Sequence, residues 1–396
     1  MKIWLVTEFF DSPSDTVGGY YVEGLAEKLA TTEKAEVVFP ADPEARGSEN
    51  KTDYNTRHIS RFRFNRKRLA LRTFAQLLMS FQFFFFLIYR VKRKDIIVSF
   101  NHPPFFIFLS FFIKKIKGTK TIIVAYDLFP EILIATGVLK ENLLYSFLLK
   151  MFSMAYNRAD KVISLSDEMT CLLKKKIRNN HSAIYTIPNY ADTTGICFQP
   201  KLKNEIILQY NLQSKIVFSY AGTIGRCQGI EKLLNLIGKI NIKDNVHFLF
   251  FGKGIGVDSF LKQIADNMNH DLITYAGFIV TEDRMKFLNA CDIAIISLLE
   301  GMTGLNFPSK TYNIMSSGHP IMFVGNEKSE LAELITGFNI GWVCNPNDHV
   351  RFESVLKEII SDPSEIKLRG DKARSVAEKY FSKKEILDKY YEAILS

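Results

Sequence analysis

At 396 residues the chain exceeds the usual size of one hydrophobic core, and 47% hydrophobic with 23% charged residues exclude disorder, so two domains of about 200 residues are expected. The net charge of +9 lies wholly in residues 1–198, which hold 28 basic against 19 acidic side chains; no nucleic-acid motif accompanies it, so no nucleic-acid partner is expected. Five scattered cysteines without a C-x-x-C pair argue for reduced thiols in a cytosolic compartment and against a zinc site.

Met1–Val6 is too quickly polar for a secretion signal and reads as a first strand. Further strands are expected at Glu36–Phe39, Ile96–Phe100, Thr121–Val124, Val162–Leu165 and Ala183–Ile187, all rich in β-branched residues and bounded by polar, Gly or Pro positions. Helical lengths separate them at Tyr20–Ala30, Arg72–Val91, Phe105–Ile116, Leu143–Asn157 and Glu168–Ile177. The alternation breaks near Pro188–Asp192 and restarts after Ser214. Strands are then expected at Ile216–Tyr220, Val246–Phe251, Ile273–Ala276, Ile293–Ser297, Pro320–Val324 and Gly341–Cys344, before a polar helical tail over Lys384–Leu395. Strand–helix alternation of this kind means βαβ units and parallel sheets. The fold class is therefore α/β, two Rossmann-like domains facing across a cleft.

Residues 54–94 carry eleven basic side chains and no acid, around a Phe-dense run over Thr73–Tyr89. The run, 17 residues with Gln76 and Gln82 inside it, is short of the about 20 apolar residues that a membrane span needs. A face docking on anionic lipid and a core helix with solvated basic ends both fit.

Ligands of open parallel sheets bind at the carboxyl ends of the strands. After the first strand, Gly18 and Gly19 precede a helix, where backbone N–H groups meet an anion. After the strand at Ile216–Tyr220, the loop Gly222, Thr223, Gly225, Arg226, Gln228, Gly229 again leads into a helix and makes a diphosphate site, with Arg226 adding charge. Gly252 and Gly254 form a further close-approach loop. No G-x-G-x-x-G follows the first strand, which argues against NAD, and no D-x-D occurs, which argues against a metal-held diphosphate. Phe278 and Ile279 end the next strand, where the backbone could read a base edge, with Phe278 as a core side chain the alternative. Glu300 and Gly304 follow Ile293–Ser297, and Ser309 and Lys310 open a helix holding Tyr312 and Asn313, with Lys310 placed for phosphate and a solvated surface lysine as the alternative. In the first half, Asp127 and Glu131 end a strand and are candidate acid/base groups, with an N-cap and first-turn role as the alternative. Asn101 and His102 end another strand, where they could bind a sugar hydroxyl or form a turn.

Taken in order, Gly18-Gly19, Asp127-Leu128-Phe129-Pro130-Glu131, Tyr156–Asp160, Ile187–Asp192, Tyr220–Gly225, Gln228-Gly229, Pro308-Ser309-Lys310 and Gly318-His319-Pro320 make a set that resembles the family-4 glycosyltransferases of bacterial surface-polysaccharide synthesis. The nearest group is the one associated with N-acetyl-fucosamine transfer. The resemblance implies a GT-B fold with an acceptor domain over 1–195, a donor domain over 196–380 and a terminal helix, 381–396, returning to the first. It implies a retaining, metal-independent and cofactor-free transferase, using a nucleotide-sugar and a lipid-linked saccharide at the inner face of the plasma membrane. Arg226 and Lys310 would stabilise the leaving diphosphate, with backbone from Gly19 and Gly304, and Asp127 and Glu131 would complete the catalytic set. The donor would lie against Gly18, Gly222, Thr223, Gly225, Gln228, Gly252, Gly254, Phe278, Ile279, Glu300, Ser309, Tyr312 and Asn313, the acceptor against Asn101 and His102. The chain departs from the family at Asn313, where the relatives place a ribose-binding Glu, at Thr223 and Gln228, where they place Arg and Lys, and at Tyr126, where a His is common. A nucleotide-sugar 2-epimerase and a non-catalytic activating subunit are the rival readings.

Overall fold

The computed structural model describes residues 1–10, 16–41, 53–60, 69–178, 182–242, 245–278 and 284–396. The chain forms two units. The first comprises Met1–Asn189, Gly304–Phe307 and Lys384–Ser396, and the second Tyr190–Thr303 and Pro308–Lys383.

In the first unit, strands β1 (Lys2–Val6), β2 (Lys34–Pro40), β3 (Asn55–Ile59), β4 (Ile96–Ser99), β5 (Lys120–Ala125), β6 (Lys161–Ser164) and β7 (Ala183–Thr186) form one sheet in the order β3-β2-β1-β4-β5-β6-β7. Every pair is parallel, with Leu5 opposite Val37 on one side and Val98 on the other. The order reverses between β1 and β4, which makes that point the natural ligand position of this sheet. The central strands are buried along their length, as continuous β-branched runs require. Strand β3 was not expected. It is the sheet's edge, mostly exposed, and its sequence Asn-Thr-Arg-His-Ile lacks the apolar run that marks a buried strand.

The helix Leu69–Ile88 lays Met79, Phe83 and Leu87 into a core with Trp4, Val38, Ile97, Phe106 and Ile113. The core-helix reading therefore holds for this side of it. Further along, Asn142 caps the helix Leu143–Arg158 by accepting from Tyr145 N (3.0 Å), and Gly118 ends Phe106–Lys117 in the left-handed region at φ 69°. The final helix, Lys383–Leu395, buries Ile386, Leu387, Tyr390 and Ile394. Lys161 donates to Ala393 O (2.8 Å) and Ser396 Oγ (2.9 Å), which holds its end in the first unit.

In the second unit, β8 (Ile216–Ala221), β9 (Val246–Phe251), β10 (Ile273–Tyr275), β11 (Ile293–Ser297), β12 (Ile321–Val324) and β13 (Gly341–Cys344) run in the order β10-β9-β8-β11-β12-β13, again all parallel. The reversal falls between β8 and β11. Phe218, Tyr220, Phe248, Phe250 and Phe352 fill its core beside Ile230, Leu233 and Leu234 of the helix Ile230–Ile237. The chain passes into this unit at Asn189–Tyr190 rather than near residue 195, and four residues of its second half, Gly304–Phe307, belong to the first unit.

Candidate functional site

The loops after β8 and β9 lie beside the reversal point of the second sheet, and their backbones are laced together. Gly222 N donates to Phe251 O (3.0 Å), Ile224 N to Lys253 O (3.0 Å) and Gly256 N to Ile224 O (3.1 Å). A Cβ on Gly252 would stand 1.9 Å from Gly222 O, and one on Gly254 2.2 Å from Ile224 O. These two glycines give their side-chain space to a neighbouring loop. Gly229, at φ +61°, caps the helix Ile230–Ile237 against the backbone of Leu299.

Gly222 has a different neighbour. A Cβ there would meet Lys310 Nζ at 2.7 Å. That ammonium nitrogen is buried, has no hydrogen-bond partner and sits 3.8 Å from the centroid of the Tyr220 ring. Burial pushes its pKa down to about 7. Tyr220 is itself fully buried and donates its hydroxyl to Thr223 O (2.7 Å), so one side chain supports both the lysine and the loop. Gln228 Oε1 and Asn313 Oδ1 are likewise buried without a partner, and Asn313 lies one turn from Lys310 on the helix Lys310–Ser316. Each such group left unpaired costs about 1–3 kcal/mol. Three of them around one loop system are what a polar ligand would satisfy.

Other expected residues are placed differently. Arg226 is exposed on the loop, without a hydrogen bond or ion pair to the described residues. Thr223 is exposed too and contributes its carbonyl. Gly225 faces Gln228 Oε1, which a Cβ would meet at 3.2 Å. Tyr312 is a core side chain against Phe381 (5.3 Å between ring centroids). Glu300 is exposed in a tight turn whose carbonyl accepts from Thr303 Oγ1 (2.8 Å). Phe278 is partly exposed beneath Lys253 Nζ, 3.8 Å from its centroid. Ser309 precedes the lysine helix without a side-chain cap. Ile279 lies outside the described residues.

In the first unit, Gly18 and Gly19 stand inside the first turn of the helix Thr16–Ala30, not ahead of it. Gly304, at φ +72°, packs on the helix Asp167–Lys176, where a Cβ would meet Leu172 Cδ1 at 3.0 Å. It is a packing glycine of the first unit. Asn101 is buried at φ 40° and latches two loops, donating to Asp127 O (2.6 Å) and accepting from Tyr126 N (3.2 Å). Beside it, His102 Nε2 lies 3.2 Å from Asp127 Oδ2. Asp127 pairs antiparallel with Asn306, and Leu128 N donates to Leu305 O (2.8 Å), so the segment Gly304–Phe307 props the Asp127 loop.

Glu131 is held elsewhere. Lys176 Nζ binds its carboxylate at 2.6 Å and Phe129 O at 2.9 Å, and burial lowers the lysine pKa against the opposing pull of Glu131. The geometry makes Glu131 an anchor of the Asp127 loop rather than a free acid or base. Glu131→Gln is expected to keep turnover within about threefold. Lys176→Met, which strands a half-buried carboxylate, should lower stability by about 3 kcal/mol, read from chemical denaturation. Sequence reasoning missed Lys176 because it lies 45 residues from its partner. Two further groups were missed, Glu8 just past β1 and Asn306, each with a buried side-chain oxygen lacking a partner. Glu8 N donates to His102 O (2.7 Å), so Glu8, His102, Asp127 and Asn306 form a connected series at the carboxyl ends of β1, β4 and β5. The position of Glu8 just past the first strand was a legible signal.

Two parallel, doubly wound sheets of this kind define a GT-B fold. Residues 203–378, which lie in the second unit apart from Gly304–Phe307, match the family described as "Glycosyl transferases group 1". Over the whole chain, the "Probable glycosyltransferase WbjE" of Pseudomonas aeruginosa is 29% identical across 390 residues, covering 98% of this chain and 96% of that one. Among solved structures, sucrose-phosphate synthase from Thermosynechococcus elongatus superposes with a TM-score of 0.76 at 16% identity, covering 99% of this chain and 97% of that one. Anabaena HepE in complex with UDP and glucose superposes at 0.74 with 14% identity, covering 99% and 98%. These two likenesses concern the fold alone.

Proposed function

We propose that the protein transfers a sugar from a nucleotide-sugar donor to a saccharide acceptor carried on a polyprenyl diphosphate, in surface-polysaccharide synthesis at the inner face of the plasma membrane. The observation that carries the donor half is Lys310, a buried ammonium without a hydrogen bond, set against the glycine loop after β8. A diphosphate would give that nitrogen its missing partner, and the exposed Arg226 could close on the same charge. Charge grows on the leaving diphosphate as the glycosidic bond breaks, and fixed cations in a dry pocket stabilise it best at that moment. HepE, whose solved complexes contain UDP and UDP-glucose, makes uridine donors the first to test, and the sequence resemblance puts N-acetyl-fucosamine first among sugars. Asn313 in place of an acid leaves a neutral acceptor oxygen facing the nucleotide. On the acceptor side, Glu8, Asp127 and Asn306 offer oxygens suited to sugar hydroxyls. Retention of configuration and independence from metal follow from the same resemblance and belong to the proposal.

The experiment is transfer itself. The purified chain is incubated with a panel of nucleotide-sugars and a lipid-linked acceptor, with chelator present, and the product linkage is read by NMR. Retained anomeric configuration, with nucleoside diphosphate released only when acceptor is added, is the expected result. A sugar epimerised without acceptor would instead establish the epimerase. Failure to bind any nucleotide would leave the non-catalytic subunit.

A further inference from the structure

The helix Leu69–Ile88 is apolar nearly all round, with a mean hydropathy of 1.5 over Leu71–Ile88, yet only 22% of that window is buried. A helix of this kind is expected to be covered on every side. Here one side meets the core and the other, with Phe81 and Phe85, is open. The neighbouring helices repeat the pattern. Phe106–Lys117 packs next to it through Phe83 and Phe106 (5.6 Å between centroids), and Leu143–Arg158 packs next in turn through Phe108 and Phe152 (4.8 Å). Phe112 and Ile116 of the second are half-exposed or more, as are Leu143 and Phe147 of the third, and Leu143 is 90% exposed. Sequence reading confines this character to residues 54–94. The structure spreads it over three adjacent helices on one side of the first sheet.

Charge decides the occupant. None of the three helices contains an Asp or Glu, whereas Arg72, Lys114, Lys115, Lys117, Lys150 and Arg158 lie along or at the ends of them. Arg158 lays its guanidinium on the Phe111 ring, 4.4 Å from the centroid, and Arg90 lies 3.9 Å from that of Phe86. Long cationic side chains that cover aromatic carbon and present charge at the rim suit a layer with an apolar interior and an anionic surface. An apolar protein partner would need no such excess of one sign. We propose that these three helices form a bilayer-docking face, with Phe112, Ile116, Leu143 and Phe147 entering the headgroup–acyl boundary of an anionic membrane and the lysines meeting lipid phosphate. This extends the membrane-side location proposed above to a named surface, but it is testable without donor, acceptor or turnover.

The full chain is sedimented with phosphatidylcholine vesicles, with and without phosphatidylglycerol. Binding to the anionic vesicles is expected to be at least about tenfold tighter and to weaken with salt. Phe112→Ser with Ile116→Ser and Phe147→Ser should abolish it. Lys115→Glu with Lys117→Glu and Lys150→Glu, all exposed or half-exposed and none in the donor loops, should weaken it by about tenfold or more. If the apolar triple variant does not fold, the lysine variant and the salt series still decide. Equal binding by wild type and the folded lysine variant would overturn the proposal, as would absence of wild-type binding. So would a wild-type dimer in solution that the triple variant abolishes, which would give the face to a second copy of the chain. Sugar transfer to a soluble acceptor analogue separates the two readings, because the docking variants should retain it.

Discussion

Replacing Lys310 with methionine is expected to lower donor turnover by about a hundredfold or more while leaving the fold intact. The side chain makes no hydrogen bond, so its removal strands nothing, and its contact with the Tyr220 ring is one that methionine keeps in part. Arginine should not rescue, because Gly222 leaves only the room that its missing Cβ provides, 2.7 Å from Nζ. The protonation of this lysine gives a second handle. Burial holds its pKa near about 7, so above that pH the resting nitrogen is largely neutral, and a bound diphosphate must draw a proton onto it. Nucleoside diphosphate affinity should therefore fall by up to about tenfold per pH unit as pH rises above about 7, until the ligand-bound lysine itself titrates. Calorimetry in two buffers of different ionisation enthalpy would register the proton uptake, and Lys310→Met should abolish it. Stability of the unliganded chain runs the other way. The folded pKa lies below the unfolded one, so the unfolded chain binds more protons between about pH 7 and the ordinary lysine range, and stability rises with pH across that window. A nucleotide affinity indifferent to Lys310→Met would remove the lysine from the site.

Gly252→Ala is the second large effect. The added methyl would stand 1.9 Å from Gly222 O, a backbone atom that cannot rotate away, at a residue held at φ +154°. Destabilisation by about 3 kcal/mol or more is expected, with nucleotide binding lost as the loop after β8 is pushed off Phe251 and Lys253. Gly277→Ala is the control. It also has positive φ, +77°, but nothing lies within 4 Å of its Cβ position, so it should cost about 1 kcal/mol. Denaturation midpoints of the two variants, beside their nucleotide-induced thermal shifts, distinguish backbone collision from conformational strain.

The contrast between these glycines shows where sequence reading stopped. Strands such as Ile96–Ser99 and Ile293–Ser297 are dictated by local β-branched runs, and twelve of the thirteen strands among the described residues were legible for that reason. The thirteenth, Asn55–Ile59, is polar because it is an edge. Glycine itself is ambiguous in sequence. Gly222 yields its side-chain space to Lys310, Gly252 to a neighbouring carbonyl, and Gly304 to a helix of the first unit, and nothing local separates the three. Lys310 was singled out because a cation beside a glycine loop is a local pattern. Glu131 looked equally catalytic, since its distant partner Lys176 leaves no local trace. Asn306 was missed because an unpartnered oxygen is a property of surroundings, not of residue type.

The excursion of Gly304–Phe307 bears on how chimeras of this chain should be spliced. Recombining front and back halves of two homologues at the Asn189–Tyr190 junction would import a foreign prop for the Asp127 loop along with the new second unit. Four residues encoded in the back half of the gene would then have to fit a loop encoded in the front half.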